Sequence, residues 1–235
     1  MENITEIKQS INDSKNVCLI TSQDPEAITS AMALFYTLKE IGKNVNLIIE
    51  TMPENIKFLA PSLDFISYPR NFIISIPNSV AQISQIYYEK NNDALKVHLT
   101  LEGGNIKKDN ISFYFSETKP DIILTIGIKD YAKELSGRLN SFGFLLDSPV
   151  VNIDNGQDNK IFGKMNLMGV SSLSEVVYGL LDNPKKESLS CLLTGLVIYT
   201  DNFRNKVTAD IFQMASDLMK KGANLQEIVK NIYIK

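Results

Sequence analysis

The sequence is almost devoid of histidine, and His98 is the only one among its 235 residues. Imidazole is the commonest side-chain ligand of catalytic metals, so a metal site built from several histidines is excluded. His98 falls in an alternating pattern that predicts a surface-facing strand residue. Cysteine is scarce too, and Cys18 and Cys191 stand in apolar runs, which predicts buried, reduced thiols.

Long apolar runs and a strong net charge are also missing. No run approaches the roughly 20 residues that span a bilayer, and the charged first residues lack the apolar centre of a signal peptide. We therefore expect a cytoplasmic protein without a membrane partner. The net charge of −3 supplies no basic field for a long nucleic acid, although a local groove for a small nucleotide stays open.

The sequence does contain the alternating strands and helices of an α/β protein. Its 44% hydrophobic content suffices for one ordinary core. Short apolar runs predict buried strands at 17–21, 45–49, 121–126 and 150–153. Helical spacing and end signals predict helices at about 1–12, 25–41, 187–199, 208–221 and 225–232. We predict an α/β fold with a mostly parallel sheet and helices on both faces.

A segment with a different residue pattern interrupts this alternation of strands and helices at about 65–115. Strand-like runs separated by Asn-Asn and Gly-Gly pairs occur at 72–76, 85–90, 95–101 and 111–115. Residues 95–101 alternate apolar and polar side chains, which is typical of a half-buried antiparallel strand. We interpret the segment as a β-rich insertion, set into the sheet's topology or at its edge, in a single domain spanning 1–235.

Ligands of an open parallel sheet bind at the carboxyl ends of its strands. The segments that follow predicted strands are Ser22–Glu26, Gly127–Asp130 and Asp154–Asp158, and a helix around Thr194–Arg204 is placed to close the cleft. Asp24 is better explained as the N-cap of the helix that begins at Pro25. Asp154, at the end of Val-Val-Asn-Ile, is the best-placed functional carboxylate.

Ser172 and Glu175 stand just before the apolar run Val-Val-Tyr-Gly-Leu-Leu, and their spacing predicts a capping box. Each side chain in a Ser-x-x-Glu motif satisfies a backbone N–H of the first helical turn. We therefore predict that these two residues begin a helix and do not contact a ligand.

Five stretches follow one another in an order similar to that of one enzyme superfamily. They are 17–50, 53–59, 151–156, 162–175 and 193–204. In this order they resemble the DHH phosphoesterases, the superfamily of bacterial oligoribonucleases and single-strand exonucleases. The resemblance covers most of the chain outside the insertion, and a β-rich segment there is similar to what some bacterial members carry. It implies a DHH-phosphoesterase-like fold.

The same resemblance implies that the metal site has been lost. Family enzymes bind two divalent ions, usually manganese, through aspartates and histidines. Ser22 stands where the first motif has its histidine, and Glu26 stands where that motif has its first aspartate. Aligning the rest of this motif requires a two-residue gap that removes a second aspartate. Gly127 occupies a further ligand aspartate position.

The later motifs are altered as well. Asp154 keeps the aspartate of the Asp-His-His signature, but Asn155 and Gly156 replace its two histidines. Tyr199 stands at the last ligand aspartate, and Arg204 closes the final matching stretch. The residual cleft that we predict therefore contains Ser22, Glu26, Gly127, Asp154, Asn155, Gly156, Tyr199 and Arg204, with no catalytic residue and no metal.

Three functions remain open. The favoured one is a catalytically inactive DHH-phosphoesterase-like domain, without a cofactor, that acts as a binding or scaffold protein and retains a cleft for a small nucleotide. The second is a metal-dependent phosphodiesterase for short oligonucleotides or cyclic dinucleotides, whose rebuilt site uses Mn or Mg. Glu26, Asp130 and Asp154 would supply its ligands. The third is a partner subunit of an active paralogue.

Two expectations concern assembly and length. A homodimer is expected, because domains of the family often self-associate. The family's C-terminal substrate-binding domain is expected to be absent, because the sequence stops at Lys235 about where the linker to that domain begins.

Overall fold

The computed structural model describes residues 2–60, 70–117, 119–135, 148–169 and 171–233. Contacts between Cα atoms divide the chain into two compact units. The sheet unit comprises Met1–Tyr68 and Lys119–Lys235, and the insertion comprises Pro69–Thr118. No helix in these described ranges is long and apolar enough to cross a membrane.

The described residues of the first half of the chain form two helices, six strands and two short 3-10 helices. In chain order they are α1 (Glu2–Asp13), β1 (Asn16–Thr21), α2 (Pro25–Glu40), β2 (Asn44–Ile48), a 3-10 helix at Glu54–Leu59, β3 (Arg70–Ser75), β4 (Ala81–Lys90), β5 (Leu95–Gly104), a 3-10 helix at Lys108–Asn110 and β6 (Ser112–Glu117).

The second half supplies three more strands and five more helices among its described residues. They are β7 (Ile122–Ile126), α3 (Tyr131–Leu135), β8 (Val150–Asp154), β9 (Met165–Met168), α4 (Leu173–Leu180), α5 (Lys186–Tyr199), α6 (Ala209–Lys220) and α7 (Leu225–Tyr233). The sequence did not predict α3 or β9.

A five-stranded sheet organises the sheet unit, with strand order β2-β1-β7-β8-β9. All four strand pairings are parallel, and Leu19 of β1 lies opposite Leu47 of β2 on one side and Leu124 of β7 on the other. The predicted α/β class with a parallel sheet is confirmed.

Both faces of this sheet are covered by apolar side chains. Val17 and Leu19 point into a large core that they share with α1, α2 and α4 to α7. Cys18 and Ile20 point to the other face and pack with Leu135 of α3. Strands buried on both faces read as continuous apolar runs, which is why the sequence predicted them well.

Helix α2 begins and ends at the predicted signals. The Asp24 side chain accepts hydrogen bonds from Glu26 N at 2.7 Å and Ala27 N at 3.4 Å, and Pro25 occupies the first turn. The helix stops just before Gly42, whose φ of +81° suits a residue without a side chain. Asp24 is thus an N-cap, as predicted.

The insertion forms two antiparallel strand pairs, β3 with β6 and β4 with β5, which are separate from the parallel sheet. The β-rich insertion is confirmed, with bounds of 69–118 where about 65–115 was predicted. The predicted residues 65–69 lie outside the described residues.

His98 lies on β5, where its ring stacks on Tyr87 with centroids 4.5 Å apart.

Candidate functional site

The strand order has its switch point between β1 and β7. The chain leaves β1 toward β2 on one side and leaves β7 toward β8 on the other side. The loops after β1 and β7 therefore lead away from each other. Such a switch point is where open α/β sheets bind ligands. The loop after β1 carries Ser22, the loop after β7 carries Gly127, and the loop after β8 begins at Asp154.

Ser22 and Gly127 lie against each other at this switch point. Ser22 N donates to Ile126 O at 3.1 Å, and Gly127 N donates to Ile153 O at 2.9 Å. Gly127 has a φ of +70°, and a Cβ at this position would lie 2.8 Å from Ala27 Cβ and 2.8 Å from Ser22 Oγ. Position 127 therefore has neither the backbone conformation nor the space for a carboxylate side chain.

Glu26 is buried in the first turn of α2, and 6% of the residue is exposed. Its Oε1 accepts hydrogen bonds from Leu173 N at 2.6 Å and Ser174 N at 3.4 Å, the first amides of α4. Burial raises the pKa of Glu26 to about 8, although these two hydrogen bonds and the Lys206 ammonium oppose the rise. This carboxyl group joins the start of α2 to the start of α4.

The start of α4 follows the sequence prediction in part. Ser172 is the N-cap, and its Oγ accepts from Glu175 N at 3.0 Å. The Glu175 carboxylate accepts from the Ser171 hydroxyl, so the predicted return bond to the Ser172 N–H is replaced. Glu26 contributes instead, from a distant part of the chain, by accepting from the amides at the first two helical positions.

Asp154 ends β8, and only 1% of the residue is exposed. Its Oδ1 accepts from Asn155 N at 2.8 Å, and its Oδ2 accepts from Asn159 Nδ2 at 2.8 Å. Asn155 Nδ2 donates to Ser171 O at 2.6 Å. Both carboxylate oxygens of Asp154 are therefore bonded within the protein, and Asn155 fastens the β8 loop to the segment before α4.

An amide network that the sequence did not predict supports Asp154. Asn159 Nδ2 also donates to Ile128 O at 2.9 Å, and its Oδ1 accepts from Asn152 Nδ2 at 2.7 Å. Asn152 is fully buried, and Thr125 Oγ1 donates to it at 3.3 Å. The only sequence signal for this network is Asn152 itself, a polar residue inside the otherwise apolar strand Val-Val-Asn-Ile.

Gly156 lies next to an ion pair in the same loop. Lys129 Nζ lies 2.9 Å from Asp158 Oδ1. A Cβ on Gly156 would come 3.0 Å from Asp158 Oδ1 and 3.1 Å from both Asp154 Oδ2 and Lys129 Cε. The pair partly neutralises the charge at the end of β8, and the sequence did not predict it.

Tyr199, at the end of α5, shares an electrostatic environment with Glu26. Burial raises the pKa of Tyr199, and the negative charges of Glu26 and Glu175 raise it further. Lys206 Nζ lies 4.8 Å from the Tyr199 ring centroid, a cation–π distance. Lys206 was not singled out from the sequence, because no motif marks it.

Arg204 lies in an unusual turn after α5 and bonds within that turn. Asp201, Asn202 and Phe203 have φ values of +49°, +57° and +59°, a conformation that side chains disfavour. Arg204 is exposed, its Nη2 lies 2.9 Å from Asp201 Oδ1, and its Nε donates to Asp201 O at 3.0 Å. It therefore contacts its own turn and not the carboxylates after β1 and β8.

Two of the eight predicted cleft residues, Glu26 and Asn155, bond to the segment 171–174. Asn155 bonds to Ser171 O, and Glu26 bonds to the amides of Leu173 and Ser174. Ser22 and Gly127 form a separate contact at the ends of β1 and β7.

A pair of divalent ions does not fit this arrangement. In the described ranges of the chain, no three His, Cys, Asp or Glu side chains converge in a group able to hold a metal ion. Glu26 and Asp154 accept hydrogen bonds from the protein, and Gly127 has no room for a side chain. A two-metal site requires several convergent oxygen or nitrogen ligands, and these residues do not supply them.

Comparisons with known proteins agree with the fold. No family model and no curated protein matches the sequence. Among solved structures, the chain is similar to an exopolyphosphatase-related protein from Bacteroides fragilis, with a TM-score of 0.70 and 16% identity. The match covers 100% of this chain and 61% of that chain. At this identity the likeness shows the fold alone.

Proposed function

We propose that this chain is a catalytically inactive DHH-phosphoesterase-like domain that acts as a binding or scaffold protein. One observation carries the proposal: the carboxylates at the strand ends already have partners inside the protein. Asp24 caps α2, Glu26 caps α4, Asp154 binds Asn155 and Asn159, and Asp158 pairs with Lys129.

No three of these side chains converge in the described ranges, so a metal site would require the carboxylates to move away from their present partners. Removing Glu26 from α4 would leave the buried amides of Leu173 and Ser174 without their acceptor. An unsatisfied buried N–H costs about 1–3 kcal/mol. Without both ions, a phosphodiester has neither an activated water nor a cation to neutralise the charge of its transition state.

The protein's other properties suit a binding role in a reducing compartment. Both cysteines are buried and unbridged, as expected for a cytoplasmic protein. The polar network joins the loops after β7 and β8 through protein groups alone.

Titration with Mn²⁺ tests the proposal at the level of metal binding. Calorimetry of the full chain at about 1 mM Mn²⁺ should give only heat of dilution, because no convergent ligand set is present. Asp154→Asn serves as the matched variant, since it keeps the shape of the side chain and removes the charge. Stoichiometric binding that Asp154→Asn abolishes would contradict the proposal and favour a rebuilt metal site.

A further inference from the structure

One face of the β4–β5 hairpin in the insertion is largely apolar, with Lys90, opposite Leu95 beside the hairpin loop, on the same face. The strands pair antiparallel, with Ile86 opposite Leu99 and Tyr88 opposite Val97. Alternate residues of a strand point to the same face. A register irregularity between Ile83 and Gln85 brings Ile83 opposite Leu101 and onto that face as well. The apolar hairpin face comprises Ile83, Ile86, Tyr88, Leu95, Val97, Leu99 and Leu101.

The opposite face of the hairpin is polar. It carries Gln85, Tyr87, Glu89, Lys96, His98 and Thr100 by the same register. Tyr87 stacks on His98, and Glu89 Oε2 lies 3.7 Å from His98 Nε2. The hairpin is therefore amphipathic, with its apolar side chains on one side only.

The apolar hairpin face is strongly exposed. Ile86 is 70% exposed, Tyr88 72%, Leu95 63% and Val97 50%. A two-stranded hairpin is at best marginally stable in water unless another layer covers one face. Contiguous apolar patches of this kind mark interaction sites on proteins. The face therefore requires a covering partner.

We propose that the partner is a second copy of this chain, which packs the same apolar hairpin face against the first. The exposed parts of these side chains amount to roughly 600 Å² per copy, close to the about 800 Å² per partner of a stable interface. A second copy supplies a face of the same length and chemistry, so the contact is self-complementary.

The polar opposite face limits the assembly to two copies. Each hairpin offers one apolar face, and the contact uses that face on both chains, so the assembly closes as a dimer and does not extend into a filament. This contact depends on the insertion alone and stands whether or not the strand-end site hydrolyses phosphoesters.

Sedimentation of the full chain tests the proposal with a matched pair of variants. Tyr88 lies on the apolar hairpin face, and its neighbour Tyr87 lies on the polar face. The unmodified chain should sediment as a dimer. Tyr88→Lys should raise the dimer dissociation constant about 30-fold or more, since buried aromatic anchors dominate interfaces. Tyr87→Lys, which adds the same charge on the other face, should leave the dimer intact.

Other results would overturn the dimer. A monomeric unmodified chain at the highest soluble concentration would exclude it, and would leave the face to another protein. Equal loss of the dimer in both variants, or in neither, would place the contact elsewhere.

Cysteine cross-linking gives a second measurement that does not depend on a destabilised variant. Cys18 and Cys191 are buried, so an introduced exposed cysteine reacts selectively. Val97→Cys lies on the apolar hairpin face and should give a disulfide-linked dimer on mild oxidation. Lys96→Cys lies on the polar face and should stay mainly monomeric on a denaturing gel. The reverse pattern would refute the proposed contact.

Discussion

Gly127 illustrates how a single position determines what the end of a strand can hold. The backbone there is left-handed, and the space where a Cβ would lie is taken by Ala27 Cβ and Ser22 Oγ. An aspartate at this position would require both a strained backbone and displacement of α2. The packing around β1 and β7 therefore leaves no room for the ligand aspartate that the family resemblance would place at this position.

Substitution of Gly127 should destabilise the fold without creating a metal ligand. Gly127→Asp and Gly127→Ala should both lower the free energy of unfolding by about 2–4 kcal/mol, because each adds a Cβ at a left-handed, crowded position. Gly179 in α4 is the control, since a Cβ there meets no atom within 4 Å. Gly179→Ala should be neutral or stabilising by up to about 1 kcal/mol. Chemical denaturation measures all three, and a stable Gly127→Asp would contradict the packing argument.

Glu26 should make stability depend on pH. Its pKa is about 8 in the folded protein and 4.5 as a free side chain, so the folded state holds the proton more tightly. Stability from this group is therefore complete below pH 4.5 and falls as pH rises through 8. Glu26→Gln removes the titration, and by pH 9 the variant should be about 3–4 kcal/mol more stable than the unmodified chain. Near pH 4.5 the two should be similar.

Urea unfolding at pH 5, 7 and 9 measures this difference. Ser172→Ala is the control, because it removes the Oγ that caps α4 and no titrating group. It should cost about 0.5–2 kcal/mol at every pH. A difference between Glu26→Gln and the unmodified chain that does not change with pH would show that burial of Glu26 does not govern its ionisation.

At the scale of elements, the left-handed turn after α5 depends on Thr200. Its hydroxyl donates to Leu196 O at 2.6 Å and accepts from Phe203 N at 3.0 Å, and the side chain is fully buried. Thr194 in the same helix is also fully buried, and it donates to Ser190 O at 2.8 Å. Each of these two hydroxyls thus donates to a backbone carbonyl one helical turn earlier. The Thr200 hydroxyl in addition accepts the Phe203 N–H, and this second bond holds the turn.

Replacing these threonines with valine should separate the two roles. Thr200→Val should cost about 1–3 kcal/mol, because Phe203 N–H loses its acceptor. Thr194→Val should cost less than about 1 kcal/mol, since a helical threonine that donates to the preceding turn adds little. Thermal unfolding of both variants gives the comparison. Equal losses would mean that the Thr200 hydroxyl does not stabilise the turn.

The elements that the sequence predicted well are those with local signals. Continuous apolar runs marked β1, β7 and β8, because strands buried on both faces have no polar side. Strand β2 was predicted as buried too, but it is an edge strand in which only Val45 is fully buried. Strand β9, Met-Asn-Leu-Met, was missed because it is four residues long and has no β-branched residue. Helix α3 was missed because five residues carry too little periodicity.

The site was predictable where its geometry is local and not where it is tertiary. Asp24 bonds to amides two and three residues away, and its capping role followed from the sequence. Glu26 bonds to an amide 147 residues away, and no local pattern reports such a contact. Asn159 similarly joins the loop after β7 to Asp154, so its role emerged only from the folded chain.

At the scale of the whole molecule, the fold and the chemistry at the strand ends are separate properties. The chain shares the fold of an exopolyphosphatase-related protein at a TM-score of 0.70 and 16% identity. Folds depend on the pattern of buried residues, and function depends on a few side chains at one site. Here those side chains bond to helix ends and loops, so the strand ends are held together by the protein's own groups.

Turnover of phosphoesters by the full chain with Mn²⁺ tests the central claim most directly. The substrates are a dinucleotide, assayed for mononucleotide release, and a 3′,5′-bisphosphorylated adenosine, assayed for phosphate release. We expect the rate for each substrate to be no higher than the protein-free background, and we expect Asp154→Asn to leave both rates unchanged. Turnover of either substrate above about 1 per second, the low end of ordinary enzyme rates, and lost in Asp154→Asn, would contradict it.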